Sequence, residues 1–96
     1  MYNTILYYQM NQGQSSETII PYMEQVISKI KELPAHIHGV FIDAPDEYKE
    51  FEELIDKPLK HIDYIYLNRQ LKDPFYHTML EQVLINESVC TKYFEL

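Results

Sequence analysis

Arg69 and Lys72 are the cations whose placement points most directly to chemistry. They lie three residues apart, directly behind the hydrophobic run 62–67 (IDYIYL) and directly ahead of Asp73-Pro74. The run alternates branched and aromatic residues and predicts a buried strand. Asp followed by Pro predicts a helix start. Open α/β sheets bind anions at the C-terminal edge of such a strand. Arg69 and Lys72 are therefore the candidate anion-binding residues, for a phosphate or a carboxylate. The competing reading is a solvated surface pair beside Asp73.

Other reactive side chains are weighed the same way. Ser15 and Ser16 could be nucleophiles, but hydroxyls ahead of an apolar-periodic run ordinarily serve a helix N-terminus. His36 and His38 are two apart, so on a strand both point to one face. A metal centre needs a third ligand, which Asp43 is not obviously placed to supply, so no metal site is expected. No cofactor is expected either. Cys90 cannot form an internal disulfide, which fits a reducing compartment. The acidic stretch 47–53 is most simply a solvated helix face.

The elements that position these residues follow in order. Residues 4–8 (TILYY) predict a first strand, and the polar 11–16 stretch around Gly13 a loop. Ile19, Ile20, Met23, Val26, Ile27, Ile30 and Leu33 recur at helical spacing, with Ser16 or Thr18 as cap. Pro21 favours a start near Thr18, and Pro34 ends the helix. Residues 38–42 predict a second strand, and 46–56 a second helix burying Tyr48, Phe51, Leu54 and Ile55. The third strand is 62–67. The third helix, from Asp73-Pro74, places Phe75, Met79, Leu80, Val83 and Leu84 on one side and ends at Asn86-Glu87-Ser88. Residues 89–94 predict a last strand, at an edge. Strands alternating with helices imply an α/β fold, a three-layer sandwich with helices on both faces. Its four-stranded, mostly parallel sheet is expected in the order 2-1-3-4, flavodoxin-like or resolvase-like.

The totals bound the function. A chain of 96 residues predicts a single domain spanning 1–96. Hydrophobic content of 46% with 24% charged residues excludes a disordered chain. The net charge of −7 makes direct DNA binding by this chain alone an unfavourable reading. No segment is long and apolar enough to span a bilayer, and a cytoplasmic location is expected. Nine tyrosines and four phenylalanines are enough for a core and an adhesive face. Tyr2, Tyr7, Tyr8, Tyr64 and Tyr66 fall on the first and third strands, as core or as a protein-binding surface.

These residues carry a resemblance. The first strand runs out through Tyr7-Tyr8-Gln9-Met10-Asn11, and the third through Leu67-Asn68-Arg69-Gln70-Leu71-Lys72. The chain resembles the N-terminal catalytic domain of serine recombinases, the resolvase/invertase family, whose corresponding motifs are Tyr-x-Arg-x-Ser and Leu-Asp-Arg-x-x-Arg. In that family serine attacks a DNA phosphodiester and arginines neutralise the phosphate. The resemblance therefore implies degenerate catalytic equivalents at Gln9, Asn11, Asn68, Arg69 and Lys72. Asn11 has no hydroxyl to form the ester, and Lys72 lacks the guanidinium fork. The arginine expected before the second helix has no counterpart at Ala44-Pro45 or Tyr48-Lys49. The loop there is shorter than the family's. The family's long dimerisation helix and helix-turn-helix domain have no counterpart before Leu96. The implied function is a catalytically inactive recombinase-like protein acting as a regulatory or interaction module, with a protein partner. The alternative is a small acidic adaptor or homodimer unrelated to DNA recombination.

Overall fold

Residues 1–94 are described in a computed structural model. The elements are β1 (Tyr2–Gln9), α1 (Ser16–Lys31), β2 (Ala35–Asp43), α2 (Lys49–Asp56), β3 (Tyr64–Leu67), α3 (Pro74–Glu87) and β4 (Cys90–Tyr93). They form one sheet in the order β2-β1-β3-β4, and all three strand pairings are parallel.

The helices divide between the two sheet faces. Ile19, Met23, Val26 and Ile30 of α1 pack with Leu6, Tyr8, Met10, Tyr66 and Phe94. Phe51 and Leu54 of α2 and Leu80 of α3 pack on the other face with Ile5, Tyr7, Phe41, Ile65 and Leu67. The chain leaves β1 toward β2 over one face and leaves β3 toward β4 over the other, so these two crossovers share one hand. β1 is buried on both faces from Thr4 to Gln9, which explains why its middle, Ile5 to Tyr8, carries no alternating charged or amide residue.

The helix starts differ from the sequence expectation for local reasons. α1 begins at Ser16 rather than near Thr18, with Ser15 as its N-cap. Thr18 Oγ1 accepts the Ser15 N–H at 2.9 Å, half of a capping box. Pro21 consequently lies inside the helix instead of its first turn. Pro21 and Glu17 are both exposed, so the bond a proline cannot donate is lost on the solvent side.

α2 begins at Lys49 rather than 46. Asp46 adopts a left-handed φ of 59° in the preceding turn. The helix is capped from a distance: the Asp43 carboxylate, at the end of β2, accepts from Glu50 N at 2.8 Å and Phe51 N at 2.9 Å. α3 follows the sequence pattern, with Asp73 Oδ1 accepting the Phe75 N–H at 2.8 Å and Pro74 in the first turn. Ser88 ends it in a left-handed conformation, φ 56°. Phe75, however, is 65% exposed and not on the core side. Tyr76 turns inward in its place and stacks on Tyr48, with centroids 4.0 Å apart and planes 7° from parallel.

β2 is longer than expected because pairing with β1 extends back to Ala35, across an irregularity between Thr4 and Ile5. β3 is shorter. Asp63 still joins Asn3 through two bonds, Asp63 N to the Asn3 carbonyl and Asn3 N to the Asp63 carboxylate, each 2.8 Å.

Candidate functional site: the crevice between the ends of β1 and β3

β1 and β3 are neighbours whose following connections depart in opposite directions. In open α/β sheets that reversal opens a crevice at the C-terminal edge. Here it is a cavity of about 500 Å³. Tyr8 and Asn11 contribute from the end of β1, Asn68 and Arg69 from the end of β3. Gln14, Thr18, Ile19 and Tyr22 close the side formed by the loop and α1.

The rim on the β1 side is built by a turn. Gln14 N donates to the Asn11 carbonyl at 3.1 Å, with Gly13 at φ 86°. A positive φ at the third turn residue is the glycine requirement of a type II turn. Gln14 Oε1 then accepts from Asn11 N at 2.7 Å and from the Tyr8 hydroxyl at 3.2 Å. One carboxamide thus ties the loop to the strand beneath it. Tyr8 is supported by edge-on contact with Tyr22, centroids 5.7 Å apart.

The β3 side is held by Asn68. Its Oδ1 accepts from Gln9 N and its Nδ2 donates to the Gln9 carbonyl, both at 3.0 Å. The side chain continues the β1–β3 pairing past Leu67, the last ladder partner. Arg69 follows immediately and lines the crevice. Its Nη1 makes a long 3.5 Å bond to the Gln70 carbonyl, and its Nε is buried with no partner among the described residues. No ion pair involves Arg69 among the described residues. A guanidinium held so is a ready receptor for an oxyanion, which supplies the missing acceptors.

The sequence-predicted residues therefore separate into two groups. Asn11, Asn68 and Arg69 share the crevice. Gln9 does not: it is buried on the opposite sheet face, where its Nε2 donates to the Glu47 carbonyl at 2.8 Å. Lys72 is exposed and is not part of the crevice wall. Ser15 and Ser16 stand at the start of α1 and contribute nothing to the wall.

Beneath the sheet edge lies a second polar centre. The Tyr7 hydroxyl donates to Asp43 Oδ2 at 2.7 Å, and both side chains are buried. Burial first, then the Asp43 hydrogen bond, pushes the Tyr7 phenol well above its ordinary range. Tyr7 therefore serves as a neutral donor and is not a proton acceptor. The Tyr76 phenol is also raised, chiefly by its hydrogen bond to Glu52 at 2.7 Å.

Sequence reading missed Tyr8, Gln14 and Thr18 as walls of the crevice. The Asn11–Gly13–Gln14 spacing held the only readable signal, since it predicts a turn that folds Gln14 back on β1. His36 and His38 do share a face, both exposed, with ring centroids 4.5 Å apart. Among the described residues no group of three or more His, Cys, Asp or Glu is arranged to hold a metal ion. No described helix is long and apolar enough to cross a membrane. No protein-family model, curated protein or solved structure matches the chain.

Proposed function

We propose that this chain is a resolvase-like module without strand-cleaving activity, which works in the cytoplasm by binding. Its crevice receives an anionic group at Arg69, and a protein partner, such as an active recombinase, is the target it regulates. One observation carries the reading: Asn11 and Arg69 wall the same crevice. A carboxamide cannot form the phosphate ester that a serine forms, while the Arg69 guanidinium in the same wall keeps a buried Nε with no partner among the described residues. Gln9 supports the loss of catalysis, because it is turned away and used to hold the Glu47 carbonyl.

The test is a cleavage assay on negatively supercoiled plasmid, quenched with denaturant to trap covalent protein–DNA adducts. Neither nicking nor an adduct is expected. An adduct at Asn11, Ser15 or Ser16 would overturn the non-catalytic reading.

A second reading, a self-associating acidic adaptor, is favoured by the tyrosines at one end of the sheet. Tyr2 contacts Tyr64 edge-on at 5.3 Å yet remains 50% exposed. Light scattering at increasing concentration separates the two readings: a dimer mass supports the adaptor, and a persistent monomer removes it.

A further inference from the structure

The histidine pair on β2 is not used by the crevice or by either hydrophobic core. His36 and His38 lie on an edge strand, so one flank of each is open to solvent. Thr4 pairs with Ile37 and Ile5 with Gly39, which leaves His38 as the extra residue of a bulge. Bulges re-aim side chains, and here the result is two rings with centroids 4.5 Å apart at an interplanar angle of 75°.

Asn3 orients one of them. Nε2 of His38 lies 2.8 Å from Asn3 Oδ1. A carboxamide oxygen only accepts, so this contact uses the Nε2 N–H and leaves Nδ1 as the ring nitrogen not engaged by Asn3. A ring whose far N–H is held by an oxygen is the standard support of a metal-ligating histidine. Neither ring is ion-paired among the described residues.

We propose that His36 and His38 chelate one divalent late first-row transition-metal ion, with Nδ1 as the His38 ligand atom and water filling the other positions. Zinc–nitrogen bonds of about 2.0–2.1 Å put two imidazole nitrogens roughly 3.3 Å apart around a tetrahedral ion. With His38 held by Asn3, the adjustment the chelate requires is rotation of the exposed His36 side chain toward it. Imidazole nitrogen is a borderline donor and selects zinc, nickel or copper over magnesium or calcium. Two protein ligands fall short of the third that a built metal centre needs, so the ion is held as a weaker surface chelate, and Lys57, which shares a hollow with His38, opposes it further.

The test is a Zn²⁺ titration of tag-free protein, followed by NMR of the histidine rings. The His36 and His38 signals are expected to move together and to saturate at one ion per chain. His36→Ala and, separately, His38→Ala should each weaken binding by about tenfold or more, and Asn3→Ala by a smaller factor. An unchanged amide spectrum in each variant certifies the fold. His77, paired with Glu81 one helical turn away, provides the internal comparison. Ring signals of His36 and His38 that stay fixed at millimolar Zn²⁺ overturn the proposal. So does binding that survives both alanine variants, or a response confined to His77.

Discussion

The Asn68 side chain holds both backbone polar groups of Gln9, accepting from its N–H and donating to its carbonyl at 3.0 Å each. An amide is the one side chain of this length that offers a donor and an acceptor side by side. The position therefore does a structural task that an aspartate could not do. Asn68 lengthens the β1–β3 seam by one residue and fixes the direction in which Arg69 leaves the strand.

The first prediction follows from that pairing. Asn68→Asp retains the acceptor but loses the donor, and it sets a carboxylate beside the Gln9 carbonyl. Unfolding in urea should show a loss of about 1–3 kcal/mol. An unchanged midpoint would mean that the Gln9 contacts contribute nothing to stability.

The Tyr7–Asp43 contact predicts an alkaline limb. The folded-state pKa of Tyr7 is raised above the unfolded value of about 10. The stability it contributes is fully present below that value and is lost as pH rises beyond it. Loss should approach about 1.4 kcal/mol per pH unit for this one proton. Tyr7→Phe should cost about 1.5–3 kcal/mol at neutral pH, because the hydroxyl serves a buried carboxylate. It should also flatten the alkaline limb in thermal melts between neutral pH and strong alkali. Tyr76→Phe is the comparison, since Tyr76 bonds to an exposed Glu52.

The turn at the crevice rim gives a third. A Cβ on Gly13 meets nothing within 4 Å, so only its φ of 86° opposes a side chain. Gly13→Ala should destabilise by about 1–2 kcal/mol, and Gly13→Asn by less, because asparagine tolerates left-handed backbone. Equal melting points for alanine and asparagine would exclude backbone strain as the cause.

The strand order was legible because each apolar run is short, rich in branched or aromatic residues, and separated from the next by a helical period. The β1 run betrayed a central strand by having no polar alternation. What escaped reading depends on direction. Gln9 and Asn11 are two apart and would share a face on a continuing strand, but β1 ends at Gln9, which faces below with Tyr7, and Asn11 begins the turn that returns to the crevice beside Tyr8. Lys72 looked like a partner of Arg69 from its spacing, yet β3 ends at Leu67 and no regular element carries both cations to one place. Asp43 entered the sequence reading as an unplaced third ligand for the histidines. Its role as cap for Glu50 and Phe51 was not legible, because a cap six residues ahead of the first helical residue leaves no local motif.

Those directions bear on anion binding, where the two cations now carry different expectations. Arg69 borders the cavity with a buried Nε that has no partner among the described residues, while Lys72 is exposed outside it. A phosphate seated there would accept from Arg69 and come within reach of Asn11 and Thr18. Titration with inorganic phosphate, followed by backbone NMR, should therefore move the amide signals of Asn11, Gln14 and Asn68. Arg69→Ala should abolish the response. Arg69→Lys should not restore it fully, because lysine keeps the charge but loses the planar fork. Lys72→Ala should leave most of it, reduced only through long-range charge and increasingly less so as salt is added. If Lys72→Ala and Arg69→Ala weaken binding equally, the anion is held by diffuse surface charge, and the crevice is not its site.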